Sequence, residues 1–271
     1  MKLGLNVFLL VPLTAGLVFG EEKIHPTGYT DTPVLPMSKY KVHDDERPRP
    51  AVVTPGGEVT WAAPSDAIVL LDGTNLDEWE KKKGGGKPGW KLLGNGAMEV
   101  VPESGDLLTK REFGDVQLHL EWHPNDPPES NSQHRSNSGV FFFDRYEIQI
   151  LDCYENKTYA DGMAGGIYGQ YPPMVNANNP PSKWQTYDII FIGPRFDDAG
   201  KLKSPAKVTV FVNGVLVQHA TELIGGTPHK RVGTYAAHGE KGKIRLQDHR
   251  DQPIQFRNIW ARELDFSGQR E

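Results

Sequence analysis

The sequence predicts an all-β fold, a sandwich or jelly roll of about ten short strands. Three observations carry that expectation. From Ser65 onward, apolar runs of about four to eight residues recur between Gly, Pro, Asn and Asp, the spacing of strands and turns. Asn213-Gly214 sits between two β-forming runs in "VTVFVNGVLV", the composition of a tight hairpin whose central residues take positive φ. No window of about eleven or more residues shows an apolar stripe of helical period.

In chain order, residues 1–20, "MKLGLNVFLLVPLTAGLVFG", place one lysine before an apolar run broken only by small residues. That is the pattern of a secretory signal peptide, too short and glycine-rich for a stable span. It points to a periplasmic or secreted bacterial protein with no membrane span after signal removal. Cys153 is the only cysteine, so no intramolecular disulfide forms. Residues 21–64 are rich in proline and charge and keep no period, which predicts an extended tether with no core and no assigned function. Residues 65–266 form the jelly-roll domain, and 267–271 a tail. Within the domain, strands are expected at "AIVLL", "GWKLL", "AMEVV", "DLLT", "VQLHLEW", "GVFFF" through "QIL", "WQTYDIIF", "AKVTVFVNGVLVQHA", "GKIRLQD" and "FRNIWARE". With 30 basic and 35 acidic residues the net charge is −5, which offers no basic footprint for nucleic acid.

Three strands carry unusual polar faces. In "RYEIQILD", Arg145, Glu147 and Gln149 alternate with Tyr146, Ile148 and Ile150. Strict alternation would send Asp152 to the apolar side, where an unpaired carboxylate is costly. One residue bulged near Leu151 returns it to the side of Glu147. In "VQLHLEWH", His119 and Glu121 oppose Leu118, Leu120 and Trp122. In "KIRLQDH", Arg245, Gln247 and His249 oppose Ile244 and Leu246. Gln, His and Arg are side chains that hold fixed hydrogen bonds to hydroxyls, so these faces read either as one shared cleft or as solvated outer surface. Two long loops, reaching Asn137 and running from Tyr154 to Lys183, could wall such a cleft, with Tyr168 stacking on a sugar ring or simply packing. Trp184 heads a strand and is expected in the core. "GGGK" lacks the residues of a phosphate cradle, and the sequon at Asn156 is expected to be idle.

The segments "LLDGTNLDEW", "NSGVFFFDRYEIQILD", "GGIYGQYPP", "WQTYDIIFIGPRFD", "VTVFVNGVLV", "IRLQDH" and "FRNIWARE" together resemble the bacterial 3-keto-disaccharide hydrolase domain family. The resemblance covers about Ala67 to Leu264. It implies a concanavalin A-like jelly-roll sandwich of two antiparallel sheets. It also implies a carbohydrate substrate, a glycoside whose sugar a partner C3-oxidoreductase has first oxidised. Laminarinase-type relatives of that fold carry Glu-x-Asp-x-x-Glu, whereas this chain has Glu147, Gln149 and Asp152 at the same spacing. The altered pattern argues against double displacement by paired carboxylates.

A 3-keto sugar needs less, because the ketone acidifies the C2 hydrogen and one base can remove it. Glu147, Asp152 and His249 are the candidates for proton transfer, with Arg145 or Arg245 near the carbonyl or enolate. Gln149, His119, Glu121, Gln247, Tyr168 and Asn137 are candidates for binding the substrate. A divalent cation held by Asp, Glu and His is a possible cofactor, though no compact ligand spacing demands one. Three classes of function follow: an enzyme cleaving 3-keto-glycosides by hydrolysis or elimination, a lectin-like binding module, and an endo-β-glucanase.

Overall fold

The computed structural model describes residues 24–249, 253–266 and 268. The signal-peptide segment and most of the tail lie outside the described residues. In chain order the strands are β1 (Ala51–Val52), β2 (Ile68–Leu71), β3 (Trp79–Lys81), β4 (Lys91–Leu92), β5 (Ala97–Glu99) and β6 (Leu107–Phe113). Then come β7 (Val116–His123), β8 (Ser138–Phe142), β9 (Tyr146–Ile150), β10 (Val175–Asn176), β11 (Gln185–Ile192) and β12 (Arg195–Phe196). The last are β13 (Leu202–Ser204), β14 (Lys207–Val212), β15 (Val215–Glu222), β16 (Gly242–Leu246) and β17 (Gln255–Glu263).

Eight of these make one sheet, in the order β15-β14-β11-β7-β17-β5-β4 with β2 also paired to β17, and five make a second, β3-β6-β16-β8-β9. Pairing within both sheets is antiparallel. The architecture is the all-β sandwich of two antiparallel sheets expected from the sequence. Each principal strand lends alternate residues to one core: Leu118, Leu120 and Trp122 from β7, Ile148 and Ile150 from β9, Ile244 and Leu246 from β16. Each such side chain taken out of water contributes roughly 1.5–3 kcal/mol, which is what fixes the register. At the β14–β15 hairpin, Asn213 and Gly214 have φ of 51° and 77°, as the Asn-Gly signal requires.

Alternation also means that each sheet turns a polar face away from the core. Glu147, Gln149 and Arg245 stand on the outer face of the five-stranded sheet. His119 and Glu121 stand on the outer face of the other, a sandwich thickness away.

The tether expectation gives way to a packed segment. Val42 and His43 are fully buried and Leu35 nearly so. The His43 N–H donates to Asp161 Oδ2 at 2.9 Å, Arg47 Nη1 to the Gln170 carbonyl at 3.1 Å, and Ser132 Oγ to the Pro26 carbonyl at 2.6 Å. Further along, the Trp61 carbonyl accepts from Asn258 Nδ2 at 2.9 Å and from Trp260 Nε1 at 3.2 Å. The segment therefore wraps from one outer face to the other. Its polar groups find partners on the domain in place of a core of their own.

Candidate active site

The position of β9 at the end of its sheet explains the site. The strand has β8 on one side, and on the other the chain of residues 163–171 fills the edge. The Gln149 N–H donates to the Gly166 carbonyl at 3.0 Å, and the Tyr168 N–H to the Glu147 carbonyl at 3.2 Å. One row of residues thus crosses the sheet: Arg245 pairs with Phe141, Phe141 with Glu147, and Glu147 bonds to Tyr168. Above this row opens a cavity of about 440 Å³, lined by Glu147, Gln149, Arg245, Gln247, His249, Tyr168 and Asn137, together with Phe141, Gln133, His134, Tyr159, Thr227, His229 and Tyr29. That size falls in the range of small-molecule sites, roughly 300–1,000 Å³.

Glu147 is the sole carboxylate among the described residues lining the cavity. It is 4% exposed, and no described hydrogen-bond donor reaches its side chain. Burial pushes its carboxyl from 4.5 up to about 8, with Arg245 pulling against that rise and Asp106 adding to it. Room for the carboxyl comes from Gly139, where a Cβ would stand 2.3 Å from Glu147 Oε1. Arg245 lies with its guanidinium carbon 3.3 Å from the Phe141 ring centroid, held by Asp106 at 2.7 Å and by Asp144. It is a fixed cation two strands away from the one carboxyl, with Phe141 between them.

The remaining lining is a hydrogen-bonding surface. Gln149 Nε2 donates to Gln133 Oε1 at 2.9 Å, Gln133 Nε2 to Thr158 Oγ1 at 2.7 Å, and Asn137 Nδ2 to the Gln133 carbonyl at 2.7 Å. The amide oxygens of Gln149 and Gln247 are buried with no protein donor, which suits them to accept from sugar hydroxyls. Tyr168 Oη lies 2.9 Å from both Tyr159 Oη and His229 Nδ1. Partial burial, then neighbouring His43, Lys230 and His249, push the His229 imidazole down to about 4. At neutral pH that ring is uncharged and its Nδ1 can accept from the Tyr168 hydroxyl.

Four sequence-derived candidates stand elsewhere. Asp152 does leave the apolar side, because Ile150 and Leu151 both enter the core and break the alternation. Its carboxylate does not line the cavity: Arg135 grips Oδ2 through Nη2 and through Nε at 2.9 Å, and the Tyr154 N–H bonds Oδ1 at 3.0 Å. Burial pushes this carboxyl up, against the pull of Arg135. Arg145 is exposed at the β8–β9 turn and opens on a neighbouring pocket. His119 and Glu121 belong to the opposite sheet, so the shared cleft expected of all three strands is built from two of them. Alternation tells which side of a strand faces away from the core but not which sheet the strand joins. Trp184, expected in the core, is half-buried with Arg257 4.0 Å over its ring.

Sequence reasoning missed Tyr29, Gln133, His134, Tyr159, Thr227 and His229. These come from loops and the amino-terminal segment, where no period marks a side chain's direction. The sequon asparagine is occupied: Asn156 Nδ2 donates to the Ser132 and Asp152 carbonyls at 3.0 and 2.7 Å. Among the described residues no three His, Cys, Asp or Glu side chains gather to hold a metal ion.

Residues 66–262 match the model of the 3-keto-alpha-glucoside-1,2-lyase-like domain. A crystal structure from Parabacteroides distasonis ATCC 8503, described provisionally as a glycosyl hydrolase, is 42% identical with a TM-score of 0.73, covering 89% of this chain and 100% of the other. Two more structures from that organism, similarly described, are 18% and 24% identical with TM-scores of 0.52 and 0.51, covering 74% and 72% of this chain and 94% and 98% of theirs. The 42% match therefore reaches well outside residues 66–262. Among curated proteins no sequence match was found.

Proposed function

The chain belongs to the 3-keto-alpha-glucoside-1,2-lyase-like domain family, and from that premise we propose that it cleaves glycosides of a sugar oxidised at C3, by elimination across C1 and C2. The observation that supports this best is the solitary buried carboxyl of Glu147 in a cavity otherwise lined by neutral amides, aromatic rings, histidines and Arg245.

In this reading Glu147 takes the C2 proton, and the electron pair of the C2–H bond moves into an enolate on the C3 oxygen beside Arg245. The enolate then re-forms the ketone, a C1–C2 double bond appears, and the C1–O bond breaks with its electrons on the leaving oxygen. That oxygen takes a proton from water at the Tyr168 and His229 end, and Glu147 gives its proton back to the hydroxide so formed. Water added across the new double bond gives the free 3-keto sugar. The substrate must come from an enzyme that oxidises a C3 hydroxyl, which makes a sugar C3-oxidoreductase the upstream partner. The same reading puts the enzyme in the periplasm or outside the cell, on the leader pattern of residues 1–20 alone.

Hydrolysis by paired carboxylates fits less well. Retaining glycosidases need two carboxyls about 5 Å apart and inverting ones roughly 6.5–9.5 Å. Here the second is committed to Arg135 outside the cavity. A binding module without chemistry would gain nothing from a buried carboxyl whose affinity for its proton is so perturbed.

Incubation with a 3-keto-glucoside beside its unoxidised parent tests the proposal. Only the ketone should be cleaved, and product formed in heavy water should carry deuterium at C2. Glu147→Gln should lower turnover on the order of 10²–10⁴-fold while the sugar still binds. Equal cleavage of the parent, or a C2 hydrogen retained in the product, would overturn it.

A further inference from the structure

The row Arg245–Phe141–Glu147–Tyr168 gives the cavity two ends. Arg245 stands on the β16 side of Glu147, and Tyr168 on the opposite side, along the outer edge of β9. In a pyranose ring C2 lies between C1 and C3. A sugar with C2 at Glu147 and its C3 carbonyl toward the Arg245 cation therefore directs C1, and the group leaving from it, toward Tyr168.

That end is completed by residues outside the 66–262 match. Tyr29 lines the cavity, with ring centroids 5.9 Å from both Tyr159 and His229. Lys230 Nζ covers its ring at 3.4 Å. Behind it, the Tyr29 N–H donates to the His43 carbonyl at 2.8 Å, and the His43 ring is packed 4.3 Å from Tyr159 and 4.6 Å from Tyr168. His43 is fully buried and tied to the equally buried Asp161 by its backbone N–H at 2.9 Å and by Nδ1 at 3.2 Å. A buried histidine–aspartate pair with a backbone bond is an anchor that an idle tether would not need.

We propose that residues 24–49 form the leaving-group wall of the active site, with Tyr29 as the surface on which a cyclic aglycone stacks. The inference rests on the elimination reading for the orientation of the sugar. The match to the 42% identical relative covers 89% of this chain, more than residues 66–262 alone supply.

Full-length wild type, Tyr29→Ala and Tyr29→Phe are compared on two 3-keto-glucosides, one with a methyl aglycone and one with a second sugar ring. Loss of the stacking surface should raise KM for the two-ring substrate about 3–10-fold, in keeping with aromatic contact strengths. The methyl compound should lose clearly less than the two-ring substrate, and the Phe variant should follow wild type on both. Equal losses on both substrates, or none on either, would overturn the wall. If wild type cleaves neither ketone, the reaction assignment fails but the wall is still read by calorimetric titration with the unoxidised disaccharide. Tighter binding to wild type than to Tyr29→Ala then supports it, and equal affinity removes it.

Discussion

Glu147 carries opposite consequences for activity and stability. Its carboxyl titrates near 8 in the fold against an ordinary 4.5. In its proposed role as base it must be ionised, so kcat/KM should climb with pH and level off above a limb near 8. For stability the sign reverses. Between pH 4.5 and about 8 the folded chain holds a proton that the unfolded chain has released, so stability falls as pH rises through that window. The loss is on the order of 1 kcal/mol for each pH unit. Glu147→Gln should therefore melt close to wild type at pH 4 and above it at pH 8. Thermal unfolding of the two proteins at those two pH values measures the difference, and parallel curves would show that burial does not perturb this group. Residue identity alone could nominate Glu147, since it stood opposite Ile148 and Ile150, but its solitude required the fold.

Strand β9 shows why the sequence could give the frame of the site and still misplace Asp152. Its alternation and the break after Ile150 were legible because apolar residues must find the core. The partner of Asp152 was not, because Arg135 lies in a loop with no period to aim it. The same limit hid Tyr29 and His229, whose positions depend on where loops close. Short strands such as β3, β10 and β12 were missed since two or three residues cannot display a period. Conversely, the Asn-Gly hairpin and the long strands β7, β11 and β17 were read correctly, each having several core contacts to declare it. The grip of Arg135 on Asp152 leads to a specific expectation. Asp152→Asn leaves a largely buried guanidinium short of its counter-charge, so the melting temperature should drop by several degrees. Turnover should stay within about tenfold of wild type, against the far larger loss from Glu147→Gln. Matched kinetics and melting curves separate the two, and a loss at Asp152 as large as at Glu147 would return it to the chemistry.

At the scale of the molecule, the sandwich keeps two polar faces apart and gives them different work. One face carries the cavity in which the proposed reaction would run. On the other, His119 Nδ1 lies 2.8 Å from Asp188, and Arg257 and Thr60 reach Glu121, while Asn258 Nδ2 donates to it at 2.9 Å. Burial alone would raise the Glu121 carboxyl, but hydrogen bonds from His119, Asn258, Thr60 and Arg257 bring it down to about 2. For His119 burial works downward, and the bonds to Asp188 and Glu121 outweigh it and raise the imidazole. The signs then define a window. The Glu121 contribution is in full force above pH 4.5 and disappears as pH falls through about 2. The His119 contribution is in full force below pH 6.5 and is lost as pH rises through the elevated folded value. Between those limits this face clamps the wrapped segment, through Thr60 and Trp61, to β7 and β17. Glu121→Gln should cost roughly 3 kcal/mol near pH 6, because it leaves buried partners of a carboxylate without their charge. The cost should shrink toward pH 2, where wild type begins to lose the same interaction. Since the cavity lies across the core, kcat for any glycoside the enzyme cleaves should be unchanged at temperatures where both proteins stay folded. Denaturant unfolding at pH 6 and pH 2, with kinetics at pH 6, decides it: a fall in kcat without a fall in stability would mean that the two faces are coupled through the sandwich.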